Sequence, residues 1–289
     1  MDNLVEIYVN VDDFLKIFQS ELTKKLLQHG EKIRNRPSRM SRSEIITVII
    51  LFHRSNYRTF KHFYLNQVYK YLQQDFPTLV SYTQFVKLQK SILIHICAYL
   101  NSIKGKQTGI SFIDSTPIAV CHNKRIARNK VFNGLAARAK STMGWYYGFK
   151  LHIIINEVGE LLSFALTSAN IDDRKVLSKL SKDLTGKLFG DRGYISQKYF
   201  DLLFKQGLHL ITTIKKNMKN KFIPMMDKIL LRKRFIIETV NDQLKNISQI
   251  EHSRHRSINN FMVNLIAGLV AYCHQSKKPA IKGLLKSQF

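Results

Sequence analysis

The chain has 289 residues, and its 46 Lys and Arg against 20 Asp and Glu give a formal charge of +26. An apolar fraction of 45% at this length supports a sizeable core and excludes disorder for most of the chain. The charge points to a polyanionic partner, nucleic acid before an anionic membrane surface.

The three cysteines, Cys97, Cys121 and Cys273, are widely spaced with no C-x-x-C, which argues against a disulfide framework or a zinc ribbon and for a reducing cytoplasm. Residues 1–10 carry Asp2 and Glu6 and lack the basic start of a signal peptide. The longest apolar runs, Ile45–Phe52 and Phe261–Cys273, fall short of the roughly 18 residues that a membrane span needs.

The first hundred residues predict helices. Ser41-Arg-Ser-Glu44 has capping-box spacing, and the apolar run from Ile45 follows it. Ser81-Tyr-Thr-Gln84 repeats the pattern before a helix over 85–100. Between them, 57–72 interleaves Arg58, Lys61, His62 and Lys70 with Phe60, Phe63, Tyr64, Tyr69 and Tyr71. Two readings are open: a DNA-binding helical module, or a helical bundle with aromatic core and solvated basic face. The polar segment 101–108 marks a boundary.

Beyond it the pattern turns strand-like. Strands are predicted over 109–120, 149–155, 160–167, 187–191 and 208–214, with a turn at Asn156–Gly159. Helices are predicted over 172–184, 196–206 and 231–247, and residues 261–273 read as a core helix. The segment from Cys121 to Lys150 holds seven Lys/Arg and no acid, and reads as an irregular basic insertion. Three strands, helix, strand, helix, strand, helix is the order of a ribonuclease H-like fold. The expected class is therefore α+β (α/β): a helical N-terminal region over 1–105, a mixed five-stranded sheet flanked by helices over 109–275, and a basic tail over 276–289.

In so basic a chain an isolated acid is informative. Asp114 sits inside the apolar strand Phe112-Ile-Asp-Ser115, where a lone carboxylate costs several kcal/mol unless paired or metal-bound. Asp191 ends the fourth strand between glycines, in Phe189-Gly-Asp-Arg-Gly-Tyr194. On the last long helix, at about 100° per residue, Glu238 lies about 40°, Lys245 about 20° and Asn241 about −20° from Arg234. Ile236, Val240, Leu244 and Ile247 form an apolar stripe on the opposite side. In a ribonuclease H topology the first and fourth strands are neighbours and the last helix crosses them, so Asp114, Asp191 and Glu238 converge. Three carboxylates are hard oxygen donors suited to Mg2+ or Mn2+, and two such ions about 4 Å apart support in-line phosphoryl displacement.

These motifs resemble the DDE transposases of bacterial insertion sequences, in the group with a Tyr-x2-Arg-x3-Glu-x6-Lys signature. Arg234, Glu238 and Lys245 match that spacing, and Leu231 stands at the Tyr position. Ile113-Asp-Ser-Thr116 and Gly190-Asp-Arg-Gly-Tyr194 resemble the family's two Asp motifs, and residues 169–174 and 251–257 are also similar. The spacings of 77 and 47 residues between the three acids leave no room for the strand-rich insertion of some relatives.

The resemblance implies a transposase that binds element ends, cuts DNA and joins the freed 3′-OH to target DNA. Asp114, Asp191 and Glu238 would be both catalytic residues and ligands of two Mg2+ ions, with Mn2+ able to substitute. Arg234, Lys245, Arg192, Lys124, Arg125, Arg128, Lys140, Arg254 and Arg256 are the residues expected against DNA. The implied partners are double-stranded terminal repeats and target DNA, with at least a homodimer on DNA and no membrane, in the bacterial cytoplasm on the nucleoid. The alternatives are a catalytically decayed DNA-binding derivative and a ribonuclease H-like nuclease or resolvase. Asp172 and Asp173 are read as helix-capping residues. Trp145 is open between base stacking and packing.

Overall fold

The computed structural model describes residues 4–29, 38–213, 222–251 and 255–281. The chain forms two compact units, residues 1–103 with 244–274 and residues 104–243 with 275–289. The first break falls in the polar segment expected as a boundary. The second falls inside a helix that sequence reading assigned wholly to the strand-rich part.

The first unit opens with α1 (Leu4–Gln28), which buries Ile7, Val11 and Leu15, one residue per turn along a single stripe. The α2 helix (Arg42–Arg54) starts at the expected capping box. Ser41 Oγ accepts from the Glu44 N–H at 3.1 Å, and the Glu44 carboxylate accepts from the Ser41 N–H at 2.6 Å. Almost all of α2 is buried, from Ile45 to His53.

Next come α3 (Phe60–Phe63), a π-helical turn over Tyr64–Val68 and α4 (Tyr69–Tyr71). The aromatic residues here divide. Phe63 and Tyr64 are buried beside Phe60 and Phe85, whereas Tyr69 and Tyr71 are exposed. The helix expected over 85–100 is split into α5 (Tyr82–Leu88) and α6 (Leu93–Ser102) by a 3-10 turn at Gln89–Ile92.

The second unit is built on a sheet. Its elements are β1 (Ile110–Cys121), a 3-10 turn at Asn123–Arg128, β2 (Ala137–Ser141), β3 (Gly144–Asn156), β4 (Leu161–Ser168), a 3-10 turn at Asp173–Val176 and α7 (Leu177–Leu180). Then follow β5 (Gly186–Gly190), a 3-10 turn at Arg192–Tyr194, α8 (Gln197–Lys205), β6 (Leu208–Thr212), α9 (Met225–Arg232) and α10 (Phe235–Asn246).

The strands run β2-β3-β1-β5-β6, with β4 also on β3. The β1, β2, β3 and β4 pairings are antiparallel, and β1–β5 and β5–β6 are parallel. Without β2, the order β4-β3-β1-β5-β6 is the ribonuclease H-like order expected. Among the described residues the sheet has six strands rather than five. The additional one, β2, lies in the segment expected to be irregular, where Ala-Arg-Ala-Lys-Ser alternates small buried-side residues with exposed basic ones.

One face of the sheet, through Ile113, Ile154 and Leu188, packs on Val176, Leu177, Leu180 and Leu203. On the other face Phe112 of β1 stacks on Phe189 of β5, 5.5 Å between centroids. The long helix expected over 231–247 is two helices: α9 ends at Arg232, and α10 starts at Phe235 after a turn at Lys233 and Arg234. Ile236, Val240 and Leu244 of its stripe are buried, but Ile247 is exposed.

The compact division falls within α10, after Gln243. The final helix, α11 (Ile258–Cys273), belongs to the first unit, where its apolar surface packs against α2 and α6. Burial of Phe261, Val263 and Leu265 through Tyr272 confirms a core helix. Gly268 admits the close neighbours Ile250 and His53; a Cβ there would lie 2.3 Å from Ile250 Cγ2.

Burial pushes the imidazoles of His53, His95 and His255 in the first unit, and of His152 in the second, down to about 4. They are neutral in the folded chain at pH 7. Below pH about 6.5 the unfolded chain takes up protons that the folded chain refuses, so stability is full above 6.5 and drains as pH falls toward 4. The melting temperature is expected to drop between pH 7.5 and 5; a flat or rising profile would contradict these environments.

Candidate active site

The β1–β5 ladder positions the two strand acids. It pairs Ile110 with Lys187, Ser111 with Leu188 and Phe112 with Phe189, then ends. Carried two residues further, the same offset sets Asp114 against Asp191. Both lie on the Phe112–Phe189 face by strand alternation, just where the strands cease to pair. Asp191 follows β5 and caps the 3-10 turn after it, accepting from the Gly193 N–H at 2.9 Å. Gly193 suits that cap because a Cβ there would lie 3.0 Å from Asp191 Oδ1.

The third acid comes from α10. Arg234 Nη2 donates to Glu238 Oε1 at 2.8 Å, and Arg234 Nη1 stands 4.0 Å from Asp114 Oδ1. One turn beyond Glu238, Asn241 Nδ2 donates to Asp114 Oδ2 at 3.0 Å. The Arg234–Glu238–Asn241 face of α10 therefore lies over β1. Glu238 itself is open, with 55% of its side chain exposed, whereas only 21% of the Asp114 side chain is.

Burial raises the Asp114 carboxyl from its ordinary 3.8 to about 6. The Arg234 guanidinium and the Ser115 N–H oppose that shift, and the nearby charges of Asp191 and Glu238 add to it. Both other acids thus act on Asp114.

Among the described residues, no three His, Cys, Asp or Glu side chains are grouped closely enough to hold a metal ion as they stand. The chemistry of the set nevertheless fits a hard divalent cation. Three carboxylates supply oxygen donors, the most buried one is short of positive charge, and Asn241 Oδ1 is buried without a hydrogen-bond partner.

The expected DNA-facing residues are scattered. Lys124, Arg125 and Arg128 lie exposed on the 3-10 turn after β1, and Lys140 is exposed on β2. Cys121, Arg125, Arg128 and Asn129 line a recess of about 400 Å3. Arg192 is exposed and donates to Thr213 Oγ1 at 3.3 Å. In the first unit Lys245 pairs with Glu251 at 3.2 Å, and Arg256 is exposed. Arg254 lies outside the described residues.

Lys150, counted in the basic run, is engaged internally. It donates to Asp173 Oδ1 at 2.7 Å and to the Ile171 carbonyl at 2.8 Å.

Two features escape sequence reading. Asn241 lies on the acid-bearing helix face, but only the structure shows its bond to Asp114. Asp172 caps the 3-10 turn as expected, accepting from the Arg174 N–H at 2.9 Å. Asp173 instead joins β1 to β3, through Ser115 Oγ at 3.1 Å and Lys150.

In the absence of divalent ions the raised Asp114 pKa is a penalty on folding. It is absent below pH about 3.8, where the group is protonated in both states, and complete above pH 6. Asp114→Asn is therefore expected to stabilise the protein at pH 8 in EDTA by roughly 1–3 kcal/mol, the gain vanishing near pH 4. Urea unfolding at the two pH values measures it; a variant less stable than wild type at pH 8 would contradict the desolvated carboxylate.

Comparison with known proteins bears on these residues as a set. No curated protein matches the chain significantly in sequence. Among solved structures, the crystal structure of the Mos1 strand transfer complex aligns with 84% of this chain and 78% of its own, at 10% identity and a TM-score of 0.24, too distant to carry an argument. Residues 104–258, more than half of the chain and all of the segment carrying Asp114, Asp191 and Glu238, match the transposase DDE domain. The chain belongs to the transposases of this DDE-domain family.

Proposed function

We propose that this transposase binds the ends of a bacterial insertion sequence, cleaves the DNA phosphodiester there and transfers the resulting 3′-OH end to target DNA, using two divalent ions, Mg2+ or Mn2+. The observation that carries the reading is that Asp114 on β1 and Asp191, one residue past β5, stand at the offset of the parallel β1–β5 ladder, with Glu238 linked to Asp114 through Arg234.

Asp114, Asp191 and Glu238 are the residues that would hold the ions. When bound, the ions would supply Lewis-acid stabilisation of the attacking and leaving oxygens of an in-line displacement. The chain's own part is orientation and charge. Asn241 fixes one oxygen of Asp114 and leaves the other toward Arg234. Arg234 offsets the acids and, as a planar two-pronged donor, suits a phosphate oxygen pair when DNA enters. Lys245 is proposed as a further point charge for phosphate.

Exposed Lys124, Arg125, Arg128, Lys140 and Arg192 supply positive charge for DNA phosphates on the second unit, and Arg254 and Arg256 are proposed as further DNA contacts. The first hundred residues recognise the terminal repeats, with exposed Tyr69 and Tyr71 available to DNA. Joining two ends requires at least a dimer. The place of work is the bacterial cytoplasm, on the nucleoid.

Asp114→Asn, Asp191→Asn and Glu238→Gln are each expected to lower Mg2+-dependent end cleavage at least about a hundredfold, while binding to end DNA persists. Gel assays on labelled end duplexes separate the two. Near-wild-type cleavage by any one variant removes that residue from the site. Wild-type protein that binds ends and never nicks them, with either ion, is a decayed DNA-binding derivative.

A further inference from the structure

The β2–β3 hairpin is a feature that the acidic centre does not use. Residues Gly144–Tyr146 of β3 pair with β2 alone, because the β1 ladder reaches only to Tyr147 and the β4 ladder to Phe149. The hairpin end is thus a two-stranded ribbon projecting beyond the sheet. Ser141 faces Gly144, which leaves a two-residue loop, Thr142–Met143.

The loop is strapped. Ser141 Oγ accepts from the Met143 N–H at 3.2 Å and donates to the Gly144 carbonyl at 3.1 Å, and Gly144 takes the left-handed φ of 108° that the turn requires. Met143 is consequently held at the tip with 95% of its surface in water. Behind it, Lys140 lies across from Trp145, and the Arg138 guanidinium lies 5.8 Å from the Trp145 ring centre. Trp145 is 57% exposed, so it is not a packing residue. Asn123 Nδ2 donates to the Trp145 carbonyl at 2.7 Å and ties the ribbon to the turn that carries Lys124, Arg125 and Arg128.

Isolated exposed apolar residues are ordinary. This one is fixed at the end of a ribbon inside a segment, Cys121–Lys150, that has no acid. A second copy of a chain of charge +26 is poorly matched to that ribbon, and a polyanion is well matched. Apolar side chains such as Met, driven between base pairs while flanking cations hold phosphates, are a general means of kinking duplex DNA.

We infer that the hairpin is a DNA wedge: Arg138 and Lys140 lie on the phosphates of a duplex and Met143 enters the base stack, distorting the DNA that the transposase holds. The inference rests on the DNA-binding reading above and adds a site and a mode of contact to it.

Trp145 is the only tryptophan in the chain, so emission excited at its red edge reports on the ribbon alone. The full-length protein is titrated with two dye-labelled 40-bp duplexes of one random sequence, one fully paired and one with a two-base mismatch. Trp145 emission is expected to be quenched in step with the rise in dye anisotropy. The mismatched duplex, already partly unstacked, is expected to bind about fivefold more tightly. Met143→Ala is expected to abolish that preference and to change binding of the paired duplex less than about twofold.

Binding with unchanged Trp145 emission overturns the wedge and leaves the DNA-binding reading intact. A preference that survives in Met143→Ala also overturns it. An emission change that follows protein concentration without DNA assigns the ribbon to a protein contact instead. Absence of DNA binding overturns both readings.

Discussion

Three residue pairs between β1 and β5 set the register on which the second unit depends. Ile110, Ser111 and Phe112 pair with Lys187, Leu188 and Phe189, and the strands then part. Asp114, still paired with Ile153 of β3, and Asp191 share one face where β1 and β5 cease to pair. Gly190 lets Ile113 and Tyr194 close beneath that gap, since a Cβ on it would meet both at 3.2 Å. On the same face Phe112 and Phe189 stack, so an apolar floor leads to an acidic edge. Shifting this register by one residue would turn Asp114 to the opposite face, among Ile154, Leu177 and Leu188.

The penalty of placing a carboxylate in such a strand is visible in its raised pKa and in the groups drawn to it. Arg234, Asn241 and the Ser115 N–H all face Asp114. Glu238 reaches Asp114 through the same guanidinium. The face of α10 is therefore held by polar contacts to the acids, and its apolar stripe is a separate surface. Elsewhere in this unit Asp227 pairs with Lys187 at 2.7 Å and Asp173 with Lys150 at 2.7 Å. Asp114 and Glu238 share the Arg234 guanidinium, and the charge of Asp191 adds to the burden on Asp114, which a divalent cation would relieve.

Much of this arrangement was legible in the sequence. An acid inside an apolar strand, a second between glycines at a strand end, and a third in register with Arg234 on a helix each carry a local signal. So did the capping box at Ser41. Other features lacked one. Nothing in residues 231–247 marks the break at Lys233–Arg234, where no Gly or Pro interrupts the helix. β2 is built from alanines, cations and a serine, whose strand propensity is low, and it forms only because β3 offers an edge. Lys150 read as part of a basic run, yet its partner Asp173 lies 23 residues away on another element. The segment 244–274 looked continuous with the catalytic part, and tertiary packing alone assigns it to the helical unit.

The central claim is that Asp114 is a desolvated carboxylate whose charge awaits a divalent cation. Carbon-13 NMR titration of its carboxyl carbon, assigned by comparison with Asp114→Asn, tests that claim most directly. In EDTA the midpoint is expected at about 6, and Mg2+ is expected to drive it below the ordinary 3.8. A midpoint near 3.8 in EDTA, or one at about 6 that Mg2+ leaves unmoved, would contradict the account.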